Sequence, residues 1–302
     1  MMPSYSKKFV LSTQVSMLAR AAVTAGRSLW PAFSRCPIGQ ESWSCAVLHE
    51  NRAVGIFRFW MEDTETVRFS LQMPDDGWHK EDLYRLLLQM NAMIIRTCHP
   101  HRIYCTPAAR MIREILSHQL YYQKGRKWQR LVEPWRYRVE DNVFDEEGFI
   151  IHQGKMEELG FGLFNTKERG CGWIAAYNLF RLYGHEITMQ EASKALSMYD
   201  PTGKVFGQDV YTLYFWLKRR GLPVHLTVFS RRAVQEAMKK SRYGILLYIH
   251  RHGSHYTAYE KVGDNRFHFF NAVYGRSRMV MSVEEFFTQH AALPMNMLIY
   301  IE

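Results

Sequence analysis

No stretch of this chain approaches the ~18 uninterrupted apolar residues that a membrane-crossing helix requires, so no transmembrane segment is expected in its 302 residues. Internal repeats and low-complexity tracts are also absent, which excludes an architecture of stacked repeats. Cysteine is scarce. The five cysteines, at 36, 45, 98, 105 and 171, are odd in number and irregular in spacing. A chain this long needs no covalent staples, so free thiols in a reducing compartment are expected over a disulfide framework. A cytoplasmic location is the matching expectation. Acidic residues are missing from the first 40 positions, where Lys7, Lys8, Arg20, Arg27 and Arg35 stand. Targeting peptides share that composition, but Gln14, Arg20 and Arg27 interrupt any apolar signal core and the stretch also reads as folded structure, so export of the chain stays open.

What is present is ordinary for a soluble globular protein: 47% hydrophobic and 23% charged residues. The length favours two domains over one core. A net charge of +10 is spread unevenly, because residues 1–140 hold 20 Lys and Arg against 12 Asp and Glu while residues 141–302 hold 19 against 17. The basic first half suits an acidic partner, whether nucleotide-bearing cofactor, anionic lipid, acidic peptide or, less favoured, nucleic acid. A solubilising surface is the plainer reading of the same charge.

Strand and helix signals alternate through that half. Lys8 to Leu11 is a short apolar run, and Gln14 to Trp30 has helical spacing through Val15, Leu18, Ala22 and Leu29. Ser44 to His49 and Ala53 to Trp60 read as strands joined at Glu50-Asn51-Arg52, and Thr66 to Met73 as a third, ending in Pro74-Asp75-Asp76-Gly77. The clearest helix is Lys80 to Cys98, with Leu83, Leu86, Leu87, Met90, Met93 and Ile94 on one stripe. Arg102 to Cys105 is strand-like, Ala108 to Leu120 helical and Lys127 to Val132 strand-like. The order β-α-β-β-β-α-β-α-β resembles the GNAT acetyltransferase fold, an α/β domain with a mixed sheet. That resemblance implies a Q/R-x-x-G-x-G/A loop whose N–H groups hold the pyrophosphate of acetyl-CoA. Gln72-Met-Pro-Asp-Asp-Gly77-Trp-His79 displaces the glycine, lacks the second small residue and sets two carboxylates where phosphates would sit. A non-catalytic GNAT-like domain over residues 1–140 is therefore expected, with an acetyl-CoA-dependent N-acetyltransferase as the alternative.

Glu133-Pro-Trp-Arg-Tyr-Arg leads into an acidic run of Glu140, Asp141, Asp145, Glu146 and Glu147, through which no period persists. Residues 141–154 are expected to be a linker. Beyond it, Gly170-Cys171-Gly172 precedes an almost wholly apolar helix, Trp173 to Tyr183, closed by Gly184. Thr188 to Met198 is a helix with Thr188 and Glu191 as a capping box, and Gln208 to Arg220 is another. Its aromatic run Tyr211, Tyr214, Phe215 and Trp216 reads as core, and Trp173 as packing beneath Cys171. Val224 to Phe229 is strand-like, Arg231 to Lys240 helical, and four strands follow at Gly244–His250, His255–Val262, Arg266–Asn271 and Met295–Ile301. Helices first and an antiparallel sheet afterwards is an α+β order.

Four residues of this half carry chemistry. A thiol titrates near 8.5 unless a helix N-terminus or an imidazolium favours the thiolate, and Cys171 opens a helix. His255 starts one strand and Asn271 ends the next, so a hairpin brings a base beside a residue able to orient it. Asn165 stands six residues before the cysteine, where an amide can join the Cys171 N–H in holding an oxyanion. Together they resemble the papain-like cysteine peptidases, closest to the bacteriocin double-glycine leader peptidases, over residues 155–302. The resemblance implies a papain-like fold and a peptide or protein substrate. It also implies roles for Cys171 as nucleophile, His255 as base, Asn271 as orienter and Asn165 as oxyanion donor, with no cofactor. The family usually has Gln where Asn165 stands, and leader-peptidase relatives often show Asp where this chain has Gly170 and Asn271.

The plain reading makes Cys171 a small buried hydrophobe and His255 a satisfied core histidine in a non-catalytic binding module. Deamidation of glutamine or acyl transfer would use the same machinery as peptide hydrolysis. His250-Arg-His252-Gly-Ser-His255 and Cys98-His-Pro-His101 with Cys105 offer ligand types without the spacing of a metal site, and no metal is expected.

Overall fold

The computed structural model describes residues 9–14, 42–73, 78–107, 110–133, 141–198, 207–228, 230–273 and 276–302, and among these described residues lie fifteen strands and eight α-helices. They divide into two units, one comprising Met1–Pro134 with Glu146–Gly148 and the other Trp135–Asp145 with Phe149–Glu302.

In the first unit, β1 (Phe9–Ser12), β2 (Ser42–His49), β3 (Arg52–Met61) and β4 (Thr66–Gln72) precede α1 (Lys80–Cys98), β5 (Arg102–Cys105), α2 (Arg110–His118), β6 (Tyr122–Lys124) and β7 (Lys127–Leu131). They build one mixed sheet ordered β1-β2-β3-β4-β5-β7-β6. Only β4 and β5 run parallel, since α1 crosses between them, and every other neighbour is antiparallel. The β2–β3 turn follows from Glu50 at φ 49 and Asn51 at φ 60, the left-handed pair that a two-residue hairpin of native twist requires. The apolar stripe of α1 packs Leu86, Leu87, Met90 and Ile94 against Phe57, Phe59, Val67 and Ile103 of the sheet. The helix stops at His99, whose left-handed φ of 46 turns its N–H back to the Ile95 carbonyl.

The helix expected over Gln14–Trp30 lies, from position 15 onward, outside the described residues. So do Pro74–Gly77 of the expected phosphate loop. The strand β6 was not read from sequence because its three residues are all exposed and carry no alternation.

The second unit contains β8 (Gly160–Phe161), β9 (Phe164–Asn165), α3 (Thr166–Arg169), α4 (Cys171–Tyr183), α5 (Met189–Met198), α6 (Val210–Arg219), β10 (His225–Val228), α7 (Arg231–Lys240), β11 (Tyr243–His250), β12 (Gly253–Gly263), β13 (Arg266–Val273), β14 (Arg276–Met281), α8 (Val283–His290) and β15 (Met297–Ile301). Six of the strands form an antiparallel sheet ordered β10-β15-β11-β12-β13-β14. One face packs on α4, where Trp173, Ile174 and Leu179 meet Ile245, Ala258 and Phe270. The other is covered by α7 and α8 through Val234, Met238, Phe286 and Phe287. The helices-then-sheet order makes this an α+β unit, with all but the last residue of α4 buried, as an apolar helix in a core must be.

Residues 141–154 correct the linker expectation. Val143, Phe149 and Ile150 are fully buried in the second unit. Asn178 of α4 holds the segment like a neighbouring strand, its Oδ1 accepting from Ile150 N at 2.9 Å and its Nδ2 donating to Ile150 O at 2.8 Å. The acidic run conceals an apolar core segment directly behind it. The aromatic run of α6 also divides against expectation: Trp216 is buried, while Tyr211 and Phe215, one helical turn apart, are exposed.

Candidate active site

Cys171 is the first residue of α4, preceded by Gly170 at φ −80 and ψ −3. A side chain at 170 has no room, because a Cβ there would stand 2.6 Å from the Thr166 carbonyl oxygen and 2.9 Å from Thr166 Cα. Gly172 is equally confined, with the Gln208 side chain across it: a Cβ would lie 2.4 Å from Gln208 Cβ. The Gly-Cys-Gly sequence is thus a steric requirement, and it presses the helix start between α3 and Gln208. Beneath it, Trp173 is fully buried and its Nε1 donates to Thr166 Oγ1 at 3.4 Å.

Burial pushes the Cys171 thiol above its usual value. Against that work the backbone N–H of Tyr256, then those of Gly172 and Cys171 itself, and the guanidinium of Arg169. The Tyr256 amide places β12 against the sulfur, and Tyr256 follows His255 in the chain. Cys171 and His255 are therefore brought to one locality by the packing of α4 on β12.

His255 meets Asn271 through the main chain: its Nε2 lies 2.6 Å from the Asn271 carbonyl oxygen. A carbonyl only accepts, so Nε2 carries the proton and Nδ1 keeps its lone pair. Nδ1 has no hydrogen-bond partner among the described residues. Burial lowers the His255 pKa, and the Asn271 carbonyl raises it part of the way back. The Tyr248 ring stands edge-on to the imidazole at 5.8 Å between centroids, and the Tyr248 hydroxyl donates to the Ala272 carbonyl.

Asn271 can present its carbonyl because it sits at φ 57, left-handed, where the β13–β14 register breaks between Phe270 and Val273. Asparagine tolerates that conformation better than most residues. Its side chain is engaged by Gln153: Oδ1 accepts from Gln153 N and Nδ2 donates to Gln153 Oε1, both at 3.0 Å. The contact between Asn271 and His255 is thus made by the backbone carbonyl.

Asn165 caps α3, its Oδ1 accepting from Glu168 N at 3.0 Å. It is half-buried, and no hydrogen bond ties it to Cys171, His255 or Asn271 among the described residues. Of the four residues read from sequence, Cys171, His255 and Asn271 are drawn together and Asn165 stands one short helix upstream. Gln153 was missed, because its segment has no periodicity and its partner lies 118 residues away.

The rings of His250 and His252 lie 6.0 Å apart and those of His250 and His255 6.4 Å. Among the described residues no three His, Cys, Asp or Glu side chains are placed to hold a metal ion. Cys45, Cys98, Cys105 and Cys171 are free thiols, and Cys36 lies outside the described residues. No described helix is long and apolar enough to cross a membrane.

No protein-family model and no curated protein matches this chain. Solved structures similar to it include the peptidase domain of Streptococcus ComA, a bi-functional ABC transporter, at 13% identity over 45% of this chain and 93% of that one, with a TM-score of 0.34. An acetyltransferase from Streptococcus agalactiae matches at 13% identity over 41% and 98%, TM-score 0.32. The Campylobacter jejuni N-acetyltransferase PseH matches at 7% identity over 40% and 94%, TM-score 0.29. At these scores they assign the chain to no family; they set GNAT acetyltransferase folds and a peptidase domain among the structures it is similar to.

Proposed function

We propose that the second unit is a cysteine-nucleophile hydrolase, a papain-like peptidase acting on a peptide or protein through a thioester. The observation that carries the reading is the state of His255: Nε2–H is held by the Asn271 carbonyl, Nδ1 is left unprotonated, and the neighbouring Tyr256 N–H faces the Cys171 sulfur. In the reaction Nδ1 takes the thiol proton as Sγ attacks the scissile carbonyl. The Cys171 N–H and the Asn165 amide stabilise the oxyanion. Collapse expels the amine, which takes the proton from His255, and leaves an acyl–Cys171 thioester. Water, deprotonated by His255, then releases the acid and restores the thiol. No step needs a metal or cofactor. The first unit is proposed as a GNAT-like module that holds substrate or an acidic partner and transfers no acetyl group, a reading supported by the two carboxylates of Asp75 and Asp76 in the Gln72–His79 stretch.

Incubation of a peptide library with the wild type and with Cys171→Ala, read by mass, tests the proposal. Expected are fragment pairs whose masses sum to the parent plus water, formed by the wild type alone. Products with the mass change of amide-to-acid conversion, or of an added amine, would move the reading to deamidation or acyl transfer on the same thioester. Equal product formation by Cys171→Ala, or none by the wild type, overturns it.

A further inference from the structure

We infer that Gln153 is a positioning residue for the Cys171–His255 pair, a proposal that rests on the hydrolase reading. Its side chain and its N–H span the two arms of the site. Toward the base, its N–H donates to Asn271 Oδ1 and its Oε1 accepts from Asn271 Nδ2, each at 3.0 Å. Toward the nucleophile, its Nε2 donates to Thr166 O at 2.9 Å and to Lys167 O at 3.0 Å.

Three of these four bonds lead on toward a catalytic group. Asn271, anchored by both ends of its amide, is held at a φ of 57 and so presents its carbonyl to His255 Nε2. Thr166 O also accepts from Gly170 N at 2.8 Å, and Gly170 is joined to Cys171. Gln153 is buried, so its two amide N–H donors are both satisfied within this set and none is left for solvent. A buried glutamine with a merely structural role needs partners, but not partners that divide between the residue gripping the imidazole and the turn leading into the thiol. Main-chain orientation of His255 makes such a brace necessary. A carbonyl on a left-handed residue at a register break has no strand ladder to fix its direction, whereas a side-chain orienter could be set by its own rotamer.

The test uses Gln153→Met, which keeps the side-chain length, and Gln153→Asn, which keeps an amide one methylene short. Both retain the backbone N–H to Asn271 and both remove the side-chain span. The first readout is the titration midpoint of the His255 imidazole by NMR. The carbonyl contact favours the protonated ring, so loosening it moves the midpoint downward in both variants, while a merely structural role leaves it in place. The second is the kinetic split on a peptide cleaved by the wild type: kcat falls about tenfold or more, the equivalent of one lost hydrogen bond in the transition state, with KM within about twofold. In an Asn271→Gly background, Gln153→Met adds no further change to the His255 midpoint, because the link runs through the Asn271 side chain. An unmoved midpoint in folded variants, or full additivity with Asn271→Gly, overturns the inference. The His255 titration needs no turnover, so absence of peptide products from the wild type counts against the hydrolase reading alone.

Discussion

Replacing Asn271 separates backbone from side-chain orientation of His255, and two substitutions should differ in an unusual direction. Asn271→Ala removes both bonds to Gln153 and leaves its N–H and Oε1 buried without partners, at about 1–3 kcal/mol for each orphaned group. Alanine at a φ of 57 adds about 1–2 kcal/mol of left-handed strain. The sum is roughly 3–6 kcal/mol after allowance for relaxation around the site. Asn271→Gly leaves the same orphans but carries no strain. Glycine also enlarges the unfolded ensemble, which takes back about 0.4–1 kcal/mol. The glycine variant should therefore be more stable than the alanine variant by about 0.5–1 kcal/mol. With m-values of about 1–3 kcal/mol per molar urea, the unfolding midpoints differ by a few tenths molar. Activity discriminates further: both variants keep the main-chain carbonyl that meets His255 Nε2, but glycine holds it at a φ of 57 without strain and so retains more peptide cleavage than alanine. If the side-chain amide were the orienter, both variants would lose activity equally. An alanine variant at least as stable and as active as the glycine variant would refute the reasoning.

Gly170→Ala should destabilise the second unit by about 1–3 kcal/mol and depress peptide cleavage, since the Thr166 backbone that a Cβ meets at 2.6 Å cannot swing aside; a variant unfolding at the wild-type urea concentration contradicts this. Stability should also fall as pH drops below about 6.5, the usual histidine value. Burial holds His152, His250 and His255 below it, so the unfolded chain takes up protons first. Their contribution is complete above about pH 6.5 and is lost through the window beneath it, and urea midpoints that stay flat or rise between pH 7.5 and 5.5 speak against the assignment.

How much of this was legible in the sequence depended on how local the cause was. The helix α1 shows its stripe of Leu86, Leu87, Met90 and Ile94 within its own residues, and its ends fall where the pattern starts and stops. The same holds for α7. Cys171 was visible because glycines flank it and an apolar helix follows. The strand β14 and helix α8 were passed over, although Ser282 and Glu285 form a capping box in both directions and the S-x-x-E pattern announces it. The 141–154 segment was misread for a different reason: its acidic residues dominate composition, while Phe149 and Ile150 gain meaning only from Asn178 across the core. Asn271 is legible as a position at the end of its strand, but not which of its atoms meets His255. Nothing local states that a register break sets it left-handed, and only its backbone conformation decides whether carbonyl or amide faces the imidazole.

The electrostatics of the pair bear on how a thiol so buried could react. Burial raises Cys171 and lowers His255, so both shifts favour an uncharged thiol and imidazole at rest. A standing thiolate–imidazolium pair would have to be desolvated in a dry site, and the groups present oppose that cost only in part. The N–H groups of Tyr256, Gly172 and Cys171 that face the sulfur belong to a β-strand and a helix start, fixed before any charge exists. Such preset dipoles act most strongly on charge as it forms in a water-poor setting. In the proposed reaction the proton then leaves Sγ for Nδ1 as the carbonyl is attacked, and negative charge passes from sulfur to the substrate oxygen within reach of the Cys171 N–H. The imidazolium formed at that moment keeps its Nε2–H on the Asn271 carbonyl. In that proposed reaction the direction of the carbonyl therefore bears on the barrier, because it holds the imidazole that takes the proton.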